Sequence, residues 1–244
     1  MRRLNVSGTW PCRVCGVHAR GFSVVELMVA LAASLVVVGS VLAFTVATVQ
    51  SNAETIRATR LTQDIRVVMG LLTREIRRAG HDALAEQSIA SNEPGNRFIA
   101  FEVNEDGNCV LLAYNRRPAA GGAWNLDPAA TPQQRELKGF RHVLVDGVGV
   151  IEAYASESDV ASEDLPDCED GSDLWRPITS ARQIDITELN FDIALIERNV
   201  AGVDITVRQI GIDLAARLTT DPVVFRRVRE SVRVRADEVF FPDP

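Results

Sequence analysis

The sequence predicts an α+β protein in which one long N-terminal helix packs on an antiparallel β-sheet domain. Two observations support this class. An apolar run over 27–49 is followed by a helical spacing of apolar residues from Ile56 to Ala79, and after Gly80 the spacing changes to a period of two. The sequence contains no internal repeat. Runs of strands that follow a single helix favour an antiparallel sheet over the alternating βα units of a parallel one.

The first half of the predicted helix is apolar on all sides. Residues 27–49 read LMVALAASLVVVGSVLAFTVATV, 23 residues without a charge or a proline. Such a helix is long enough to cross roughly 30 Å of hydrocarbon, and it exceeds the cleavable apolar region of a signal peptide, about 7–15 residues. A core helix of a soluble protein is the alternative, but the absence of a polar face argues against it. We therefore expect a transmembrane or filament-core helix over 27–49.

The second half of the helix has one apolar stripe. Gly80 fits the position just after a helix end, and the dipole favours Arg77 and Arg78 in the last turn. We predict a single helix from Phe22 to Ala79, about 87 Å long. The stripe residues recur at spacings of mostly three and four, and they are Ile56, Leu61, Ile65, Val68, Met69, Leu72, Ile76 and Ala79.

Seven β-rich or alternating runs follow Gly80, separated by turn and loop signals such as Asp106-Gly107-Asn108. Longer loops are predicted over 118–132, rich in Pro, Gly and Ala, and over the acidic segment 156–173. Because the apolar stripe of the helix needs a cover, we expect helix and sheet to form one folded body. The predicted strands are 98–103, 109–115, 140–146, 148–155, 186–197, 203–216 and 230–241.

The charge is unevenly distributed along the 244 residues. The net charge of −7 argues against a protein that mainly grips nucleic-acid phosphates. The first 21 residues hold four arginines and no acid, and the remainder carries 22 basic and 33 acidic side chains, a net charge of −11. The positive-inside rule places the N-terminus in the cytoplasm and the chain from about residue 50 outside. We interpret a late basic run as a strand face balanced by acids, in preference to a DNA contact. Its residues are Arg226, Arg227, Arg229, Arg233 and Arg235.

Four cysteines fall into two pairs. Cys12 and Cys15 form a C-x-x-C in the basic leader, without the second ligand pair of a zinc site or the surroundings of a redox motif. Cys109 and Cys168 lie 59 positions apart. In an oxidising compartment we expect them to form a disulfide.

No convergent set of catalytic groups is recognisable. Only His81 and His142 follow the leader, and no G-x-S-x-G, H-E-x-x-H or glycine-rich phosphate loop occurs. We expect no enzyme, no cofactor and no metal. Asp167, Glu169 and Asp173 in the acidic loop are weak candidates for calcium, because the loop lacks EF-hand spacing.

One acid, Glu26, lies at the start of the apolar stretch among apolar neighbours and Ser23. An ionised carboxylate there is costly unless it is paired, so a functional role with a partner is the first hypothesis. The alternative is an interfacial glutamate whose side chain reaches the headgroups.

The segment RGFSVVELMVAL resembles the class III signal of type IV prepilins. The resemblance implies that prepilin peptidase cuts between Gly21 and Phe22 and N-methylates Phe22. It also implies a domain order: a leader over 1–21, a retained helix over 22–80 and a periplasmic or extracellular β-rich domain over 81–244. Glu26 then has an assembly role, in which it pairs with the new amino group of an adjacent subunit.

Three later segments, QDIRVVMGLLTREIRRAGH, VDGVGVIEAYA and VRQIGIDLAARL, resemble the PilW family of minor type IV pilins. His81 departs from that pattern, which usually has an aromatic there. The resemblance implies a pilin-like fold and a role in pilus assembly or priming. Its implied partners are prepilin peptidase, other major and minor pilins, the inner-membrane assembly platform and inner-membrane lipid, with no nucleic acid. A J-type minor pseudopilin of type II secretion is the alternative, and a signal-anchored periplasmic enzyme or binding protein is a third.

Overall fold

The computed structural model describes residues 21–85, 97, 98, 100–116, 131–162, 164–200 and 202–240. These residues form one α-helix, one short 3-10 helix and nine strands, which confirms the predicted α+β class. The chain divides into two compact units, residues 1–53 and 54–244, and all nine strands belong to the second. Of the predicted leader over 1–21, residues 1–20 lie outside the described residues.

Helix α1 spans Val24–Arg78, 55 residues, against the predicted span from Phe22 to Ala79. It ends where the sequence places a helix-terminating glycine. Gly80 has φ of 73°, in the left-handed region that glycine tolerates, and its N–H donates to the carbonyl of Ala113 at 2.8 Å. The end of the helix is thus bonded directly to a strand.

The strands form two antiparallel sheets where one was predicted. The first has the order β1-β2-β3-β4-β5, and the second has the order β6-β7-β8 with β9 also paired to β7. Asp146 (φ 52°) and Gly147 (φ 79°) close the β3–β4 hairpin as a two-residue turn of the kind that matches strand twist. The strands are β1 Phe101–Val103, β2 Cys109–Ala113, β3 Leu137–Val145, β4 Val148–Tyr154, β5 Trp175–Pro177, β6 Ile184–Val200, β7 Val203–Leu218, β8 Phe225–Arg233 and β9 Glu238–Phe240.

The amphipathic half of α1 supplies the centre of the main core. Most of the predicted stripe is buried, whereas Ile56 stays 52% exposed. The buried stripe residues share one apolar cluster with residues of both sheets, among them Val110, Phe140 and Ile151 of the first sheet and Ile210 of the second. Because one apolar core contains residues of the helix and of both sheets, the predicted packing of helix on sheet is confirmed. The buried stripe residues are Leu61, Ile65, Val68, Met69, Leu72, Ile76 and Ala79.

The two sheets meet at a close backbone seam. A Cβ added to Gly149 on β4 would lie 1.8 Å from the carbonyl oxygen of Ile186 on β6, so only glycine fits there. The Gly149 N–H donates to Asp185 Oδ1 at 2.8 Å, and His142 Nε2 lies 3.0 Å from the same Ile186 oxygen. Burial alone raises the pKa of Asp185, but the hydrogen bonds from Gly149 and Arg217 outweigh it and lower that pKa.

A second, smaller core lies on the other face of the first sheet. It contains Phe98, Tyr154 and Trp175, with Leu165 and Cys168 of the acidic segment packed against it. The sequence predicts a loop here, and although the loop is rich in acids, two of its side chains cover apolar surface. β2 is therefore buried along its whole length.

Candidate processing and assembly site

The N-terminal end of the described chain presents the predicted processing residues in the open. Gly21 and Phe22 precede α1, and Phe22 is 84% exposed. Ser23 Oγ accepts from the Val25 N–H at 3.4 Å, and Glu26 Oε2 accepts from the Ser23 N–H at 3.4 Å. Ser23 thus caps the second N–H of α1, and Glu26 at the third helical position bonds back to the Ser23 N–H, as in the S-x-x-E capping box; we use that name for this variant, in which the serine bonds N2 in place of N3.

The capping box gives Glu26 a local partner that the sequence analysis missed. The signal was present as Ser23-x-x-Glu26 immediately before an apolar run. The carboxylate also lies in the first turn of α1, where the positive end of the helix dipole favours an acid. Glu26 is thus placed to fix the start of the helix, and its exposed position leaves it accessible to a cation from another molecule.

The apolar segment forms one helix that is long and apolar enough to cross a membrane, and no other described helix meets that criterion. Residues 27–49 are exposed throughout. Each hydroxyl within the segment donates to a backbone carbonyl three or four residues earlier at 2.8 Å, so none needs water. The segment therefore suits hydrocarbon or a packed helix bundle. These hydroxyls belong to Ser34, Ser40, Thr45 and Thr48.

The structure joins Cys109 and Cys168 by a disulfide, the pair that the sequence analysis expected to bridge. Arg141 holds the same loop from the other side. It donates to the carbonyls of Cys168 at 2.8 Å and Asp170 at 2.6 Å, and to the Glu152 carboxylate at 2.7 and 3.0 Å. Its guanidinium also lies 4.3 Å from the Trp175 ring centre. The acidic loop is thus pinned to β2 and β3.

The acids of that loop have separate partners and do not converge on one point. Asp167 Oδ1 accepts from the Glu169 N–H at 2.9 Å, and Glu157 and Asp159 pair with arginines 116 and 135. Within the described residues, no three His, Cys, Asp or Glu side chains lie together as metal ligands. The calcium candidates Asp167, Glu169 and Asp173 are not brought together as a ligand set.

Three arginines of the late basic run form ion pairs with neighbouring acids. Arg227 and Arg229 both donate to Asp213, at 2.7 and 2.6 Å, and Arg227 also reaches Glu188 at 2.6 Å. Arg233 pairs with Asp237 at 2.5 Å. The hydrogen bond from Arg227, followed by that from Arg229, holds the pKa of Asp213 below its usual value. This face of β8 is therefore balanced by acids.

A buried polar contact joins α1 to the first sheet. The Tyr114 hydroxyl donates to Glu75 at 2.6 Å, and the Arg78 guanidinium lies 4.5 Å from the Tyr114 ring centre. Burial, followed by the bond to Glu75, raises the pKa of the Tyr114 hydroxyl far above its usual value. This contact was not predicted from the sequence, because a glutamate among helix arginines has the pattern of a surface residue.

An exposed apolar helix with a processing-type N-terminus, together with a β-rich unit built around an amphipathic helix, defines a pilin-like α+β protein. The chain belongs to the prepilin peptidase-dependent protein B family, whose sequence model matches residues 54–234. It is thus a pilin-like protein of a prepilin peptidase-dependent family. Comparison with curated proteins and with solved structures found no match.

Proposed function

We propose that this protein is a minor type IV pilin of the PilW type, needed to assemble or prime type IV pili. The observation that carries the proposal is the agreement of two separate parts of the chain. The segment RGFSVVELMVAL has the prepilin signal pattern, and the family match covers residues 54–234, which exclude that segment. Neither observation depends on the other.

In this proposal the precursor crosses the inner membrane once, with its N-terminus in the cytoplasm and residues 81–244 in the periplasm. Prepilin peptidase cuts between Gly21 and Phe22, removes residues 1–21 and N-methylates Phe22. Residues 27–49 then pack among other major and minor pilins at the assembly platform, and the β-rich part reaches the pilus surface. The protein performs no reaction and uses no cofactor.

Mass spectrometry of the mature N-terminus tests the processing step. An N-methylated phenylalanine is expected as the first residue, and a Gly21→Trp variant should remain at precursor length. A retained Met1 end, or unchanged cutting of the variant, would overturn the proposal. Calcium titration of the full chain in non-ionic detergent tests the metal prediction, and saturable binding would contradict it.

The assembly role of Glu26 needs a pair of variants, because the structure also gives this residue a capping role. Glu26→Gln removes the charge but keeps an oxygen for the Ser23 N–H, whereas Ser23→Ala removes the other half of the capping box and keeps the charge. If charge pairing with a neighbour drives assembly, only Glu26→Gln should reduce incorporation into pili. Equal defects in both variants would assign Glu26 to capping alone.

The J-type pseudopilin role is tested by deleting the gene and scoring surface pili by electron microscopy and secreted proteins by electrophoresis. Loss of pili with normal secretion is the expected result. Loss of secretion with normal pili would favour the type II secretion system.

A further inference from the structure

Four arginines line an open pocket of about 340 Å³ near the end of α1. Arg74, Arg77 and Arg78 come from the last turns of the helix, and Arg235 comes from the segment after β8. Gly70 and Thr73 complete the lining. We call this site the arginine pocket.

The arginine pocket carries an excess of positive charge. Glu75, which contacts two of these arginines, is already engaged by the Tyr114 hydroxyl at 2.6 Å and by Arg74 at 3.1 Å, with Arg78 at 3.9 Å. Arg77 is exposed, and it pairs with no carboxylate in the described part of the chain. Arg235 is also exposed, so among the described residues two guanidinium groups at the pocket have no carboxylate within ion-pair distance.

Helix stability explains only part of this arrangement. The helix dipole favours arginines 77 and 78 in the last turn of α1. Arg74 lies one turn earlier, where it repels both of them at spacings of three and four. Arg235 is brought to the same place from another element, against the same repulsion. A bound anion would relieve that repulsion, and forked guanidinium groups are suited to planar oxyanions.

The surroundings limit what kind of anion fits. The neighbouring strand β8 offers no continuous basic track, since Asp213 and Glu188 together balance Arg227 and Arg229, and Asp237 balances Arg233. A nucleic acid needs such a track for successive phosphates, and a chain of net charge −7 repels a long polyanion. An isolated pocket suits one or two carboxylates presented together on a peptide.

We propose that the arginine pocket binds the carboxylates of an acidic peptide segment on a partner protein. The proposal depends on the charge and geometry of residues 70–78 and 235, and it does not depend on the prepilin processing described above. It adds a recognition site on the β-rich unit to the attachment through the apolar helix.

The test is a fluorescence-anisotropy titration of the full chain in non-ionic detergent at low salt, with labelled hexaglutamate as the probe. Inorganic phosphate and a twelve-residue oligothymidine serve as the other ligands. Arg77→Gln and Arg235→Gln are made singly and together, since both side chains are exposed and lie away from the buried Glu75 contact. The matched control is the double variant of Arg176 and Arg226, both changed to glutamine, which removes the same charge from exposed positions elsewhere.

Saturable hexaglutamate binding is expected. It should weaken by about tenfold with each pocket arginine removed, because each loses a charge-assisted hydrogen bond. Binding should also weaken as salt is added. The control should bind like the unaltered protein. Absence of binding, an equal loss in the control, or tighter binding of phosphate or of the oligonucleotide would overturn the proposal, and urea midpoints of the single variants show whether any loss reflects unfolding.

Discussion

Removal of the disulfide is the sharpest test of how the first sheet is held. The double variant Cys109→Ala, Cys168→Ala opens a closed loop of 59 residues. On the chain-entropy account, a loop of that length stabilises the folded state by about 4 kcal/mol. Cys109 is 1% exposed, so alanine at this position also loses packing. Arg141 still holds the loop of the variant through the carbonyls of Cys168 and Asp170, so the native arrangement of the loop should persist.

We therefore expect the variant to lose at least about 4 kcal/mol of unfolding free energy. The assay is urea unfolding of the full chain in non-ionic detergent, followed by tryptophan fluorescence, to which Trp175 in the small core beneath this loop contributes. The control is the Cys12→Ala, Cys15→Ala variant, which alters the leader pair and should leave the midpoint unchanged.

The disulfide and Arg141 should be coupled, because both hold one segment. Arg141→Met in the disulfide-free background should cost more than in the bridged protein, since the arginine is then the main remaining tie. A loss below 1 kcal/mol on removing the disulfide, or strictly additive effects of the two changes, would refute this account of the loop.

Three further predictions concern residues in the core and strands of the β-rich unit. Lys138 is the chain's only lysine, and burial, followed by repulsion from Arg116, lowers its pKa to about 8. Because the unfolded chain then binds more protons between pH 8 and 10.5, stability should rise across that window by at most about 3 kcal/mol. The signal of a ¹³C-dimethylated sample should titrate near pH 8, and a value near 10.5 would contradict the burial. Tyr114→Phe should lower the unfolding free energy by about 2 kcal/mol, as the buried carboxylate that it contacts loses a donor, and urea midpoints unchanged from the parent would disprove this. Gly149→Ala should cost about 3 kcal/mol in the same assay because its Cβ meets a carbonyl of β6, while Gly171→Ala, which has open space, should be neutral.

The helix was the most predictable part of the fold. Its apolar run, its stripe and its terminating Gly80 are local signals, and α1 ends within a residue of the predicted end. The pairing of strands was less predictable, because alternation of apolar and polar residues indicates a strand but not which strand it pairs with. The predicted run 230–241 divides into β8 and β9, which pair with different stretches of β7. No glycine or proline marks that break; instead the Val234 N–H bonds to Arg208 of β7, outside a continuous ladder.

The short elements were missed for a related reason. β5 has three residues and lies just after the acidic loop, so its sequence is too short to show a period. The functional residues also differ in how far the sequence predicts them. The N-terminal signal is contiguous and was recognisable, whereas the arginine pocket joins a helix end to Arg235, more than 150 residues later, and only the fold brings these side chains together.

The core shared by α1 and both sheets couples the unfolding of one sheet to that of the other. Side chains from the helix stripe, from Phe140 of the first sheet and from Ile210 of the second belong to one apolar cluster. Neither sheet can open without exposing apolar surface of the other, so the two sheets and the second half of α1 should lose their structure in a single cooperative transition. A weakness introduced on one sheet therefore lowers the resistance of both to heat, denaturant and proteases.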